Sequence, residues 1–202
     1  LPDPVFIKKK IKKDFNKIIK NKNPYILNIG RLTTQKNQKI LIRSFKEISK
    51  KYKYLNLLIL GDGEKYQELT NLAKDLNIEK KIKFLGHVNS SYEYIKKSLC
   101  VIVTSLWEDP GFVMIEASAL NKIVISSNCP SGPKEFFENG KTGFLFKNDN
   151  IRSLINTFNR FMITKKNKIK SYKKINYQKS LRYSEIEHSK NFRKLFQIYE
   201  KR

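Results

Sequence analysis

Six short apolar runs, each followed by a longer mixed segment, constrain the fold more than any other feature of the chain. They are Tyr25–Gly30, Leu55–Gly61, Lys81–Gly86, Leu99–Thr104, Lys122–Ser127 and Thr142–Phe146. Most are continuously apolar rather than alternating, as suits parallel strands buried on both faces. Three end in glycine: Gly30, Gly61 and Gly86. Glycine lets a backbone approach a ligand, and it is also a plain turn residue.

The segments between the runs repeat apolar residues at helical spacing. Leu41, Phe45, Ile48 and Tyr52 form one stripe, and Tyr66, Leu69, Leu72, Ala73 and Leu76 a second. Val113, Ile115, Ala117 and Ala119 follow a Pro-Gly loop. Strand–helix alternation of this kind predicts an α/β fold: a doubly wound, Rossmann-like parallel sheet of about six strands with right-handed crossovers. A ligand would then bind outside the carboxyl ends of the strands. Peripheral helices are expected at both ends, over Phe6–Ile19 and over Ser184–Tyr199, with a further stripe at Leu154, Phe158 and Phe161. Lys165–Lys179 between them is lysine-rich and low in complexity. The expected division is a linker and peripheral helix over 1–23, the Rossmann-like domain over 24–164, and the lysine-rich segment with the last helix over 165–202.

Charge is where composition matters. The chain has 202 residues and a net charge of +24, which first suggests a polyanion binder. Only 7 of the 42 basic residues are arginine, and specific phosphate or base recognition favours the planar arginine fork. The excess is also unevenly placed: residues 25–150 carry only +6 of it. A nucleic-acid-binding basic module is therefore the weaker alternative. No apolar run approaches the ~18 residues that would span a bilayer. The opening Leu1-Pro2-Asp3-Pro4-Val5-Phe6 lacks the basic and apolar regions of a signal peptide. Cys100 and Cys129 make neither a disulfide framework nor a metal cluster, so a reducing cytoplasm fits.

Three constellations carry chemistry. Gly30-Arg31-Leu32-Thr33-Thr34-Gln35-Lys36-Asn37 follows the first run; Arg31 and Lys36 can converge on a diphosphate, or belong to a solvated loop. Leu60-Gly61-Asp62-Gly63-Glu64 is a partial dinucleotide fingerprint or a strand-to-helix turn, with Asp62 a candidate helix cap. Ser105-Leu106-Trp107-Glu108-Asp109-Pro110-Gly111-Phe112-Val113-Met114-Ile115-Glu116 is the most informative. It sets Glu108 in a loop and Glu116 about one and a half turns into a helix. The amides of Gly111, Phe112 and Val113 at that helix start suit an anion. A carboxylate nearby suits a sugar or ribose diol. Glu108 as a surface loop residue and Glu116 as a helix-face residue is the plain alternative, although a buried carboxylate without a partner is costly.

In this form the Glu108-x7-Glu116 pair resembles the signature of the group 1 (family 4) retaining glycosyltransferases, which have the GT-B architecture. The supporting segments occur in that family's order: Asn28-Ile29-Gly30-Arg31-Leu32 with Lys36-Asn37, Leu60-Gly61-Asp62-Gly63, Phe84-Leu85-Gly86-His87-Val88, Pro130-Ser131-Gly132-Pro133-Lys134-Glu135, and Gly140-Lys141-Thr142-Gly143-Phe144-Leu145. Trp107–Phe112 and Cys129–Pro133 resemble the branch that builds bacterial surface glycans, of the capsule or lipopolysaccharide kind.

The resemblance implies transfer of a hexosyl group, with retention, from a nucleotide-diphospho-sugar, UDP-linked by expectation, to a glycan or lipid-linked acceptor. It implies a catalytic set of Arg31, Lys36 and Glu108. Arg31 and Lys36 would stabilise the departing diphosphate, and Glu108 would contact the donor sugar. It implies donor binding by Gly30, Gly61, Gly63, His87, Val88, Gly111, Phe112, Val113 and Glu116. Phe112 and Val113 would hold the distal phosphate, Glu116 the ribose, and the His87–Val88 backbone the base. No metal and no cofactor beyond the nucleotide sugar are expected. The partner is an N-terminal acceptor domain for which the 24 residues before the first run leave no room, so the chain alone is expected to transfer weakly or not at all. The expected location is cytoplasmic. The lysines of 8–22 and 165–179 suit a peripheral position on an anionic inner-membrane surface.

Overall fold

The computed structural model describes residues 23–199, with side chains over 23–194. The expected helix over Phe6–Ile19, and with it all but the last residue of the expected 1–23 linker, lies outside the described residues.

The strands are β1 (Tyr25–Ile29), β2 (Asn56–Leu60), β3 (Ile82–Phe84), β4 (Cys100–Val103), β5 (Val124–Ser127) and β6 (Phe144–Phe146). They form one sheet in the order β3-β2-β1-β4-β5-β6, with every neighbouring pair parallel. All six expected strands are present, and the order is that of a Rossmann-like doubly wound sheet. Parallel strands need crossovers, and the helices supply them on both faces. These are α1 (Gln38–Lys51), α2 (Tyr66–Asp75), α3 (Tyr92–Lys97), α4 (Phe112–Ala119), α5 (Gly132–Phe136) and α6 (Ile151–Ile163). Then follow α7 (Lys166–Ser180) and α8 (Glu185–Tyr199).

The continuous apolar strands reflect two cores. Ile26, Leu57, Ile59, Ile102 and Ile125 face one layer, packed on Leu41 and Phe45 of α1, Leu69 of α2 and Phe158 of α6. Leu27, Leu58, Leu60, Val101, Val103 and Val124 face the other, packed on Ile95 of α3, Ile115 of α4 and Phe136 of α5. Successive side chains point to opposite sides, so a strand covered on both sides must be apolar at every position.

Sequence reading and structure differ in three places. Asp62 is not a helix cap: α2 starts at Tyr66 after Lys65, and the Asp62 carboxylate instead accepts a hydrogen bond from the His87 backbone N–H at 2.8 Å. The lysine-rich stretch is helical, as α7. It crosses under the N-terminal ends of the strands: Tyr172 meets Phe144 edge-to-face, and Asn176 Nδ2 donates to the Thr142 carbonyl at 2.8 Å. Helices α3 and α5 escaped notice, because six and five residues are too short to display a helical period. Helix α8 starts where expected, with Ser184 Oγ accepting from the Glu187 N–H at 3.3 Å. Its Ile186 and Phe192 are half exposed.

Candidate functional site

The sheet changes winding direction between β1 and β4, the place where doubly wound sheets bind ligands. Here it also comes apart. β1 and β4 pair only at Ile26–Cys100 and Leu27–Val101. One residue further on, the buried Asn28 side chain takes over, donating to the Ile102 carbonyl at 2.8 Å. Beyond that point the strands part, and their loops are joined by other contacts: Thr104 Oγ1 to the Lys36 carbonyl at 2.8 Å, and the Leu106 N–H to the Gln35 carbonyl at 2.8 Å. The loop after β1 is thus held directly against the loop after β4.

Lys36 and Glu108 meet across this junction. Lys36 Nζ lies 2.6 Å from Glu108 Oε1, with side chains 22% and 11% exposed. Ser105 Oγ donates to the same oxygen at 2.5 Å. The Lys36 stem lies over Gly30, where a Cβ would come to 3.4 Å from it. Both contacts to Glu108 fall on Oε1, so Oε2 has no partner among the described residues and can accept from a hydroxyl. Arg31 is exposed, and its guanidinium makes no hydrogen bond or ion pair with any described residue. Its backbone is fixed, since Gln38 Nε2 donates to its carbonyl at 3.0 Å.

Helix α4 begins directly after this loop. Its N-cap is Gly111, at φ 86° in the left-handed region that favours glycine, and no side chain caps the first turn. The Phe112 and Val113 N–H groups therefore have no acceptor among the described residues, which is the arrangement that binds anions at helix N-termini. The loop is backed by β5's exit: the Gly132 N–H donates to the Glu108 carbonyl at 3.2 Å, and Ser127 Oγ donates to the Ser105 carbonyl at 2.6 Å. Gly132 has to be glycine, because a Cβ there would strike the Pro110 carbonyl. Burial pushes the nearby Cys129 thiol up, so it stays neutral.

Glu116 sits lower on α4, against the start of α3. Burial raises its carboxyl to about 7, and a hydrogen bond from Ser91 opposes the rise only in part. Tyr92 is close enough for Glu116 to add to the upward push on its phenol, whose main cause is burial. His87 and Val88 line the loop between β3 and α3. The His87 side chain is exposed, and its backbone is pinned by Asp62. Gly61 and Gly63 lie further back. A Cβ on either would strike the backbone of Gly30 or Leu32, so one face of each is used to pack two loops together. Among the described residues no three His, Cys, Asp or Glu side chains converge on a metal position.

A pH dependence follows. A carboxyl raised to about 7 in the folded chain and near 4.3 in the unfolded one favours folding fully below the lower value. That contribution is lost as pH rises through about 7. The Glu116→Gln variant should therefore gain on the wild type by roughly 2 kcal/mol between pH 5 and pH 8 in urea unfolding. A constant difference would remove the raised carboxyl from the account.

Residues that sequence reasoning missed are Asn28, Asp62 in its observed role, Ser91 and Ser105. Asp62, Ser91 and Ser105 each hold another site group in place, and Asn28 ties β1 to β4; Asn28, Asp62 and Ser105 lie in the motif segments, which do not reveal these partners. Only Ser105, three residues before Glu108, had a spacing that could have drawn attention.

Residues 9–181 match the family model described as glycosyl transferases group 1. An uncharacterized glycosyltransferase of Methanocaldococcus jannaschii is 42% identical over 125 residues, which is 62% of this chain and 30% of that protein. The N-acetylgalactosamine-N,N'-diacetylbacillosaminyl-diphospho-undecaprenol 4-alpha-N-acetylgalactosaminyltransferase of Campylobacter jejuni is 35% identical over 133 residues, 66% of this chain and 36% of that protein. Among solved structures, Anabaena HepE in complex with UDP superposes with a TM-score of 0.76 at 22% identity, covering 87% of this chain and 49% of that one. The chain thus spans about a third of the length of these curated relatives.

Proposed function

The chain belongs to the group 1 glycosyl transferases, and on that premise we propose that it forms the donor-binding part of a retaining enzyme that transfers a hexosyl group from a UDP-sugar. The diphosphate would lie over the parted ends of β1 and β4. The free N–H groups of Phe112 and Val113 would hold the distal phosphate, and Arg31 and Lys36 would neutralise charge as the diphosphate leaves. Glu108, fixed through Oε1, would take a donor-sugar hydroxyl on Oε2. Glu116 would accept from the ribose hydroxyls, with the base against the His87–Val88 backbone. The cationic charge comes from side chains, and the reading invokes no metal.

The observation that carries this reading is the joint placement of a doubly anchored Glu108 and an uncapped helix start at the switch point of the sheet. Anabaena HepE binding UDP supports the base. The Campylobacter relative, which by its name acts on a diphospho-undecaprenol-linked sugar, supports a lipid-linked acceptor in surface-glycan synthesis. The acceptor site would belong to an N-terminal domain of the whole enzyme. We place the protein in the cytoplasm, peripheral on an anionic inner-membrane surface. Helix α7 lies at the N-terminal ends of the strands, opposite the end that carries the donor site. No helix among the described residues is long and apolar enough to cross a membrane. A nucleic-acid role is not favoured, since the junction's own chemistry accounts for the best-placed basic residues.

A thermal-shift titration tests the reading. Saturating UDP should raise the melting temperature by several degrees, and Glu116→Ala should abolish the rise. Equal shifts in both proteins would detach Glu116 from the nucleotide.

A further inference from the structure

A second cavity stands apart from the junction of β1 and β4. It lies on the other side of the Thr33–Asn37 loop, between the N-terminal ends of α1, α2 and α6, with a volume of about 710 Å³. Four cationic side chains line it: Lys39, Arg43, Lys65 and Arg152. Its two carboxylates are already engaged. Glu68 takes both lysines, Lys39 at 3.4 Å and Lys65 at 2.9 Å, and Asp149 accepts from Asn37 Nδ2 at 2.8 Å. Arg43 and Arg152 are exposed and have no ion-pair partner among the described residues. Thr33 and Thr34 add hydroxyls.

Gln38 supplies an independent observation. It lines the cavity and is 1% exposed, with Nε2 spent on the Arg31 carbonyl. Its Oε1 is buried and has no partner among the described residues. A buried acceptor left unmade is costly, and a hydroxyl donor would satisfy it. Two unpaired guanidiniums call for an anion with several acceptor oxygens, which a phosphate presents and arginine binds bidentately.

We propose that this cavity is a second ligand site, separate from the donor site, for a phosphorylated polyol or sugar, with Arg43 and Arg152 holding the phosphate and Gln38 and the threonines meeting hydroxyls. The site shares a wall with the donor loop. Thr33, Thr34 and Asn37 face it, while Lys36 in the same loop faces Glu108. Asn37 ties that loop to Asp149 at the cavity rim. Occupancy therefore bears on the loop that carries Arg31 and Lys36. The phosphate could belong to a free monoester or to a diester within a polymer or lipid head group.

The test is an amide NMR titration of the 202-residue chain with three probes: glycerol 3-phosphate, glycerophosphoglycerol and inorganic phosphate. Saturating UDP is present throughout. A phosphorylated polyol should shift Lys39, Arg43 and Arg152 saturably while UDP stays bound, and it should bind at least fivefold tighter than inorganic phosphate. The Arg43→Ala/Arg152→Ala variant should weaken it tenfold or more and leave the UDP affinity within twofold. Tighter binding of the monoester points to a free metabolite, and of the diester to a polymer or lipid source. Three results would overturn the proposal: competition with UDP for the same amides, equal affinity for inorganic phosphate, or no loss in the arginine variant. None of these would show that UDP fails to bind on its own, so the donor reading stands or falls separately.

Discussion

Lys36→Met is expected to weaken UDP binding at least tenfold and to destabilise the chain by about 2 kcal/mol, while adding Glu108→Gln restores the stability and not the binding. Lys36 and Glu108 form a 2.6 Å ion pair. Met keeps the stem over Gly30 but leaves the Glu108 charge largely buried and unpaired, which is the costly half of breaking such a pair. Converting Glu108 to Gln removes that charge. The binding loss has another source. A hydrogen bond to a charged group contributes about 1.5–3 kcal/mol, or roughly ten- to a hundredfold in affinity. In the proposed complex Lys36 supplies such a bond to the diphosphate, and neutralising Glu108 does not replace it. Urea unfolding and calorimetric titration of the two variants separate the effects. Recovery of UDP binding in the double variant would mean that Lys36 serves only to hold Glu108.

Gly61→Ala should be the most damaging single-methyl change in the domain. The new Cβ would run into the Gly30 carbonyl, a backbone atom that cannot rotate away. The residue also sits at φ 125°, where L side chains are strained. Gly61 is held there from the other side, its N–H donating to the Gly86 carbonyl at 2.8 Å. A loss of about 3 kcal/mol follows, near 10 °C in melting temperature for a chain of this size. UDP binding should fall with it, because the displaced Gly30 precedes Arg31. Gly140→Ala is the control. Its φ is also positive, at 90°, but its Cβ would meet only the Leu145 side chain at 3.9 Å. It should cost about 1 kcal/mol from backbone strain alone. Similar losses in the two variants would show that strain, and not the close approach of two loops, explains the glycine.

Much of the fold was legible because its determinants are local. A strand covered on both faces must be apolar at each position, so β1, β2, β4 and β5 announce themselves, and the long α1 and α6 repeat apolar residues over several turns. Helices α3 and α5 are too short to carry a period. Helix α7 is polar on most of its surface, and what holds it lies far away in sequence: Tyr172 against Phe144, Asn176 on Thr142 and Lys179 on the Phe136 carbonyl. The site divides along the same line. Glu108, Glu116, Arg31 and Lys36 were visible through their motif and spacing. The ion pair between Lys36 and Glu108, 72 residues apart, was not. Neither was Asp62 as the anchor of His87, since a short acidic residue after a strand reads as a cap until its partner is seen. The parting of β1 from β4 at Asn28 depends on where a ladder stops, which no single segment encodes.

A nucleoside diphosphate is expected to bind over that parting. Mapping UDP by amide shifts on the 202-residue chain tests it most directly. The largest saturable shifts should fall on Gly30 to Lys36, on Phe112 and Val113, and on His87 and Val88, and Arg31→Ala should weaken them at least tenfold. Shifts confined to the cavity between α1, α2 and α6, or no saturable shift at millimolar UDP, would contradict it.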